Sequence, residues 1–419
     1  MESSALSKTS ALSSIDRHCR QLLLKALRQA EFGTLTLRDP DGEFIIHGTR
    51  QPHALHATIQ VDDPTCYRHM IFAGSIGAAE AYMTGDWTTP DLTLVIRFMS
   101  RNLNALNQVE NGLARLTRPL QSFYHWSNRN SEKGSKRNIA AHYDLGNDLF
   151  ELFLDPTMMY SSGIFPGEQA TLAEASITKL DRICKKLDLQ PSDHVIEIGT
   201  GWGGFAIHAV TNYGCKVTTT TISRQQYDYA KARIERLGLQ DRITLLLEDY
   251  RDLQGQYDKL VSIEMVEAVG HQYYPANFNA LGRLLKDDGV ALIQAITIDD
   301  ERYHSAIRNV DFIQRYIFPG SCIPSVTALL TACGRNSNLQ LTHMEDITPH
   351  YARTLREWRH NFFRHVDRIR TLGYSEEFIR LWDFYFCYCE GGFAERVIGD
   401  VQLLFAKPGH RGAPVLGAL

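Results

Sequence analysis

The sequence lacks the features that mark several protein classes. Its 8 cysteines form no CxxC pair, which argues against a zinc ribbon or a dense disulfide framework and predicts a reducing compartment and no metal. No stretch reaches the ~18 consecutive apolar residues of a membrane span, and the amino-terminal MESSALSKTSALSS has no apolar core of signal-peptide length. Lys+Arg 44 against Asp+Glu 48 leaves no basic surplus. We therefore expect a cytoplasmic protein without a nucleic-acid partner.

Length and composition predict two folded domains. The 419 residues exceed one ordinary domain, and 44% hydrophobic residues are enough to bury a core. Residues 128–138 are polar and basic without periodicity, so they are predicted to be a linker. We expect an amino-terminal domain over residues 1–127 and a second domain over residues 139–419.

The first predicted domain mixes helix and strand patterns, which indicates a small α+β fold. A basic amphipathic helix is predicted from Ile15 to Phe32, followed by short alternating runs typical of strands and by helices near Ile76–Met83 and Leu92–Met99. The basic helix and the linker could bind anionic lipid headgroups at ~1 kcal/mol per basic residue. A helix packed on a core and a solvated linker explain the same pattern equally well.

The second predicted domain alternates apolar strands with amphipathic helices, from HVIEIG to VALIQAITI. This alternation predicts an α/β fold with a doubly wound, Rossmann-like parallel sheet. From about residue 299 to residue 390 the pattern becomes aromatic and helical, which predicts a helical insertion, or lid, over the active-site edge. VIGDVQLLFAKP is predicted to be the last strand.

A glycine-rich turn joins the first strand of this domain to the next helix. The segment VIEIGTGWGGF contains Gly199, Gly201 and Gly203, which allow a ligand to approach the backbone closely. Glu197 stands two residues before the first glycine, where it can meet the cationic amino group of a methionine moiety. The second strand, KVTTTTIS, carries no acidic residue for a ribose. The loop therefore favours S-adenosylmethionine, with a nicotinamide dinucleotide as the alternative.

Two further pairs of residues are candidates for a site. Asp249 and Tyr250 follow the third strand, where a carboxylate can accept from an adenine amino group and a ring can stack. A turn-forming Asp beside a packing Tyr explains this pair equally well. Glu264 and Glu267 lie in and just after an apolar strand, where a carboxylate must be paired, hydrogen-bonded or raised in pKa. Pairing with a structural arginine is the alternative for Glu267.

Longer segments resemble the cyclopropane-fatty-acyl-phospholipid synthases and, more distantly, the mycolic acid cyclopropane synthases and methyltransferases. The resemblance is collinear from Leu35 to Lys407, and the amino-terminal module is similar to that of the bacterial and plant-type enzymes. The segments that carry it are VDDPTCYRHMIFAGSIGAAEAYMTGDW, HYDLGNDLFELFLD, EIGTGWGG, LLLEDYRDL, EMVEAVGH, RYIFPGSCIPS, PHYARTLREW and YCEGGFAERVIGDVQLLF.

The resemblance implies a class I methyltransferase that acts on the cis double bond of an unsaturated acyl chain in a phospholipid bilayer. The alkene takes the methyl group of S-adenosylmethionine, a base removes a proton from that methyl, and a cyclopropane ring closes. In the family the base is a bicarbonate ion. By position, the groups that would hold it are Glu267, Tyr351, Ser162, Gln294 and the carbonyl of Ile296. The implied cofactor residues are Tyr160, Ser161, Gly199, Gly201, Thr221, Gln226, Asp249 and Tyr250.

Two positions depart from the commoner family pattern, because Ser162 stands where Cys is usual and Gln294 where His is usual. A glutamine amide can donate to an anion but cannot take up a proton as an imidazole can. A methyl-branched or methyl-alkene product is therefore the alternative to the ring, and a non-catalytic lipid- or cofactor-binding protein is the second alternative. The resemblance also implies peripheral attachment to the membrane and is compatible with a homodimer.

Overall fold

The computed structural model describes residues 12–106 and 146–415, so the predicted linker over residues 128–138 lies outside the described residues. The chain divides into two compact units. The first unit comprises Met1–Tyr124, Asp311–Ile313 and Val366–Val397. The second comprises His125–Val310, Gln314–His365 and Ile398–Leu419.

Helices and strands are numbered here in chain order. The strands are β1 Phe32–Asp39, β2 Gly42–His47, β3 Gln51–Val61, β4 Trp87–Thr88, β5 His194–Ile198, β6 Lys216–Thr220, β7 Ile243–Leu246, β8 Tyr257–Ile263, β9 Leu285–Ile298, β10 Gln340–Asp346 and β11 Ile398–Ala406. The helices are α1 Ser14–Leu27, α2 Cys66–Thr84, α3 Leu92–Arg101, α4 Asn147–Phe153, α5 Leu172–Lys186, α6 Gly204–Tyr213, α7 Arg224–Arg236, α8 Tyr274–Leu284, α9 Asp300–Ala306, α10 Val326–Asn336, α11 Thr348–Arg364, α12 Val366–Thr371 and α13 Glu376–Ala394.

The first unit is built on a mixed sheet with the strand order β2-β1-β3-β4. Helix α1 begins with a capping box between Ser13 and Asp16, and it ends at Leu27, because the chain from Phe32 onward pairs as β1. The predicted helix from Ile15 to Phe32 is therefore too long at its carboxyl end. In the described parts of the chain, no helix combines the length and apolar character needed to cross a membrane.

Helix α13 belongs to the first unit, although the sequence places it within the predicted domain over residues 139–419. It packs against α2 and α3. The buried hydroxyl of Tyr82 donates to the carboxylate of Asp383 at 2.7 Å, and Arg97 donates to Glu395 at 2.6 Å. The compact units thus group this segment differently from the predicted domains, because an amphipathic pattern identifies an apolar face but not the surface that covers it.

The second unit confirms the predicted doubly wound α/β fold. Its sheet has the strand order β10-β11-β9-β8-β5-β6-β7. Strands β9, β8, β5, β6 and β7 run parallel, whereas β11 is antiparallel to β9 and β10 is antiparallel to β11. Strands β5, β8 and β9 contribute apolar residues to two separate core clusters, as parallel strands covered on both faces do.

Strand β10 was not expected, since residues 299–390 were predicted to be helical. Its residues are mostly exposed and show no buried stripe, as an edge strand allows. Helices α9, α10 and α11 do follow the helical pattern. The carboxyl ends of β5, β6 and β8 lie at one edge of the sheet, and ligands of such folds bind at that edge.

Candidate active site

The glycine loop leaves β5 in a conformation that favours glycine. Gly199, Gly201 and Gly203 have φ values of 102°, 53° and 88°, in the region that side-chain-bearing residues rarely adopt. The amides of Gly199 and Thr200 both donate to the carbonyl of Thr220 at 3.0 Å, which fixes the loop to β6. A Cβ atom built on Gly201 would meet open space. The loop therefore offers bare backbone to a ligand at the carboxyl edge.

Glu197 is hydrogen-bonded to the neighbouring strand β6. Its carboxylate accepts from the hydroxyl of Thr219 at 2.6 Å, and the residue is 2% exposed. Burial raises the pKa of Glu197 to about 8, opposed by that hydrogen bond and by the charge of Lys179. The carboxylate that was expected to meet a methionine amino group therefore already accepts one hydrogen bond from β6.

Two further cofactor candidates, Thr221 and Gln226, lie between the end of β6 and the first turn of α7. Thr221 directly follows β6, and its hydroxyl donates to the side-chain oxygen of Gln226 at 3.0 Å. The amide of Thr221 donates to Leu246 at the end of β7. Ser223 caps α7 by accepting from the amide of Gln226. These two predicted residues thus lie together, one strand away from the glycine loop.

Asp249 is engaged by its own turn. Its carboxylate accepts from the amide of Arg251 and from both sides of the Arg251 guanidinium, at 3.0, 2.8 and 2.6 Å. Tyr250 packs against the hydrophobic core beneath the sheet edge. The turn-forming interpretation of this pair therefore describes the structure, and an adenine amino group would have to share the carboxylate with Arg251.

Tyr160 and Ser161 connect the loop to the rest of the edge. The ring of Tyr160 lies 5.3 Å from Phe150, 5.1 Å from Trp358 and 6.5 Å from Trp202, which is part of the glycine loop. The hydroxyl of Ser161 accepts from the ammonium group of Lys179 at 2.7 Å. The predicted residues thus join an aromatic cluster to a buried cation.

Three of the groups expected to hold an anion converge on the carboxylate of Glu264. The amide of Ser162 and the side-chain nitrogen of Gln294 donate to its Oε1 at 2.9 and 2.7 Å, and the hydroxyl of Tyr351 donates to its Oε2 at 2.5 Å. Glu264 directly follows β8 and has a φ of 47°, an uncommon conformation for a residue other than glycine. It is partly exposed, while its three donor residues are buried.

Glu267 lies beside this group with a different environment. Its Oε1 accepts from the amide of Ile296, the residue whose carbonyl the resemblance assigns to the anion. Its Oε2 is buried and has no hydrogen-bond partner among the described residues. Burial raises the pKa of Glu267 to about 8, and the charge of Glu264 adds to the shift. Glu267 is therefore mainly protonated at neutral pH.

Two buried titratable side chains, Asp400 and Lys179, lie near the two glutamates. Asp400 is fully buried, and burial together with the Glu264 and Glu267 carboxylates raises its pKa well above the usual range. Lys179 is also fully buried; burial lowers its pKa to about 8, opposed most by Glu264. A buried charge needs a partner. Glu264 interacts with the Lys179 ammonium group and accepts three hydrogen bonds, so we assign the negative charge of the cluster to Glu264.

The orientation of the Gln294 amide is fixed by a chain of hydrogen bonds. The ammonium group of Lys186 donates to the side-chain oxygen of Gln402 at 2.8 Å, and Gln402 in turn donates to the oxygen of Gln294 at 3.0 Å. An ammonium group can only donate, so both amides are held in one direction. The nitrogen of Gln294 therefore faces Glu264 and Asp400, at 2.7 and 3.1 Å.

The loop and the carboxylate cluster form one site. A Cβ atom on Gly199 would lie 3.3 Å from the side chain of Met265, between the two glutamates. The structure thus brings the predicted anion-holding residues together, with Ser162, Gln294 and Tyr351 on the carboxylate of Glu264 and the amide of Ile296 on that of Glu267. Sequence reasoning missed the central place of Glu264 and the parts played by Lys179 and Asp400. The available signal was a charged residue within an apolar segment, as in VSIEM and VIGDVQLL.

The residues present fit S-adenosylmethionine better than bicarbonate. The bare backbone at Gly201 and the free space beside it suit a ligand that the loop must contact closely. A bicarbonate ion does not fit in the same way. The donors of Ser162, Gln294 and Tyr351 already end on Glu264, and a second anion there would meet like charge.

Comparison with known proteins agrees with this geometry. Residues 130–403 match the family model of the mycolic acid cyclopropane synthetases. The chain is 38% identical over 345 residues to tuberculostearic acid methyltransferase UfaA1 of Mycobacterium tuberculosis, covering 80% of each chain. It is 35% identical over 362 residues to the cyclopropane-fatty-acyl-phospholipid synthase of Escherichia coli, covering 86% of this chain and 90% of the relative.

Among solved structures, mycolic acid cyclopropane synthase CmaA1 complexed with SAH and CTAB is similar at 31% identity with a TM-score of 0.59. The match covers 65% of this chain and 98% of that chain. Identity above 30% over most of two relatives, together with the family model and the shared fold, identifies the reaction class. The chain belongs to the mycolic acid cyclopropane synthetase family and is an S-adenosylmethionine-dependent methyltransferase.

Proposed function

We propose that the protein transfers the methyl carbon of S-adenosylmethionine to the cis double bond of unsaturated acyl chains in membrane phospholipids and closes a cyclopropane ring. The observation that carries the proposal is the buried carboxylate cluster directly beside the glycine loop. Such a cluster can stabilise positive charge on a bound chain and accept a proton. The similarity to the synthase of Escherichia coli supports a phospholipid as the substrate.

The chain's own residues have separate tasks in this reaction. When bound, S-adenosylmethionine supplies an electrophilic methyl carbon, and its transfer leaves a carbocation on the acyl chain. Gly199, Gly201 and Thr221 would hold the cofactor at the carboxyl edge. The rings of Tyr160 and Trp358, 5.1 Å apart, provide π faces that attract positive charge. A carboxylate of the cluster then takes the proton.

A methyl-alkene product is the second candidate, and two observations favour it. The protein is 38% identical to a tuberculostearic acid methyltransferase, and Gln294 stands where the family usually has a proton-accepting histidine. If the carbocation loses a proton from the acyl chain instead of the new methyl group, a methylated alkene forms. A saturated methyl branch would need a hydride donor in addition.

We further propose that the protein works as a peripheral membrane protein in the cytoplasm. Helix α1 buries Leu24 and Leu27 but leaves Arg17 and Lys25 exposed, together with Arg28 at its carboxyl-terminal cap. Three cations on one surface helix attract anionic headgroups at about 1 kcal/mol each near the bilayer. In this proposal the apolar face of the helix packs on the core, and its exposed basic residues bind lipid headgroups. The basic linker lies outside the described residues.

One assay tests reaction, product and docking together. The protein is incubated with labelled S-adenosylmethionine and vesicles of a cis-monounsaturated phospholipid, with and without an anionic lipid. We expect label in the lipid, an ozonolysis-resistant product, and faster transfer on anionic vesicles that salt suppresses. A labelled product that ozone cleaves would select the alkene. Absence of label from the lipid would refute the proposed function, and equal rates on both vesicles would refute docking through α1.

A further inference from the structure

The anion-holding donors of this chain are already occupied by a side chain. Ser162, Gln294 and Tyr351, the positions that the resemblance assigns to bicarbonate, all donate to the carboxylate of Glu264. A carboxylate and a bicarbonate ion share the same planar pair of acceptor oxygens. One position in the chain thus provides the group that would otherwise be taken from solution.

The backbone at Glu264 is an independent sign of function. Its φ of 47° lies in the left-handed region, which is unfavourable for a residue with a side chain and persists where the surroundings enforce it. This conformation directly after β8 aims the carboxylate at the three donors. The amide of Glu264 is held as well, because it donates to the carbonyl of Gln294 at 2.8 Å.

We propose that the carboxylate of Glu264 takes the place of bicarbonate and is itself the proton acceptor of the reaction. This inference rests on the proposed function and names the base within it. Among the described residues, Oε1 accepts from Ser162 and Gln294, Oε2 accepts from the Tyr351 hydroxyl, and the carboxylate also interacts with the side chain of Asp400. Each carboxylate oxygen has two lone pairs. A lone pair of Oε2 therefore remains for the substrate proton.

The proton transfer balances without any co-reactant from solution. After methyl transfer, a C–H bond of the new methyl group breaks, and its electron pair forms the second bond of the ring to the cationic carbon. The proton goes to Oε2, so Glu264 becomes a neutral acid and later returns the proton to water. Burial raises the pKa of Glu264, with Tyr351 and Lys179 opposing the shift, which makes the carboxylate a stronger base.

Lys186 and Gln402 act as positioning residues for this base. Their hydrogen bonds direct the Gln294 nitrogen toward Glu264, at 2.7 Å. A histidine at position 294 would instead offer a group that exchanges protons. Gln294 in place of histidine is therefore consistent with Glu264 as the base, because Glu264 needs a donor of fixed orientation.

The test compares the full-length wild type with two variants of Glu264 in carbon-dioxide-depleted buffer and in added bicarbonate. Glu264→Gln keeps the shape and can still accept from Ser162 and Gln294, but it has no charge. Glu264→Gly vacates the donors and suits the positive φ. Glu235→Gln, in an exposed pair with Lys231 on α7, is the matched control. Binding of ¹³C-bicarbonate, followed by NMR line broadening, is a readout that does not depend on turnover.

We expect wild-type turnover to be independent of bicarbonate, and Glu264→Gln to lose about 100-fold or more, the scale of losing one acid-base group. Glu264→Gly should lose as much turnover and regain it when bicarbonate is added. Of the proteins compared, this variant alone should broaden the NMR signal of ¹³C-bicarbonate. The control should match the wild type. A bicarbonate requirement or ¹³C-bicarbonate binding in the wild type, or near-normal turnover of Glu264→Gln, would overturn the inference. If the wild type methylates no phospholipid, the proposed function fails, and the NMR comparison still decides whether Glu264 fills the anion's place.

Discussion

Glu264 and Glu267 stand three residues apart on one segment and differ in every contact. Glu264 receives donors from Ser162, Gln294 and Tyr351, whereas Glu267 has the Ile296 amide on one oxygen and no described partner on the other. The donors hold negative charge on Glu264, and their absence leaves Glu267 neutral. Environment therefore separates a base from a neutral acid.

The raised pKa of Glu267 predicts how stability changes with pH. Its pKa is about 8 in the folded chain against a usual 4.5, so the folded state binds a proton that the unfolded state releases. This contribution is complete below about pH 4.5 and is lost as the pH rises through 8. Glu267→Gln should therefore reduce the fall in unfolding free energy between pH 5 and pH 8.5 by more than about 1 kcal/mol. Urea unfolding at both values measures this, and an unchanged fall would show that Glu267 is ionised in the folded state.

At the residue scale, the sequence predicted which positions form the site better than how they are used. The glycine loop was predictable because positive φ values leave a glycine signature. The roles of Glu197 and Asp249 were not, because their partners Thr219 and Arg251 are fixed by strand pairing and by a local turn. The convergence on Glu264 depends on distances between segments more than 80 residues apart, which no local pattern contains.

Elements with a strong period were predictable, and elements without one were not. Strands β5, β6 and β8 are short runs rich in Val, Ile, Leu and Thr that are buried along most of their length, as covered parallel strands are. Strand β10 is exposed on both faces, so it left no hydrophobic signal. Helix α13 was recognisable as a helix, but its partners α2 and α3 lie about 300 residues earlier in the chain.

The contact between α2 and α13 gives a prediction at the element scale. Tyr82 is buried and donates to the buried carboxylate of Asp383 at 2.7 Å. Tyr82→Phe removes this donor with little change in volume, and it should lower the unfolding free energy by about 1–3 kcal/mol. Exposed Phe72→Tyr on the same helix is the control and should have little effect. Equal denaturant midpoints for Tyr82→Phe and wild type would show that this bond does not stabilise the first unit.

At the scale of the whole molecule, the two units are not two consecutive stretches of chain. The first unit takes Val366–Val397 from the carboxyl-terminal half. Removing residues 1–127 would therefore uncover the face of α13 that packs on α2 and α3. The sequence predicts the α/β class of the second unit, but a linker-based boundary cannot reveal that the chain returns to the first one. Point substitutions, not truncation, are the appropriate probes of lipid handling.

The fate of the transferred methyl group tests the central claim most directly. Full-length protein is given S-adenosylmethionine with a trideuterated methyl group and vesicles of a cis-monounsaturated phospholipid, and the acyl product is analysed by mass spectrometry before and after ozonolysis. Our account predicts an ozone-resistant chain that retains two of the three deuterium atoms, because the base removes a proton from the new methyl group. An ozone-sensitive chain that retains all three would contradict it, since the proton would then come from the acyl chain.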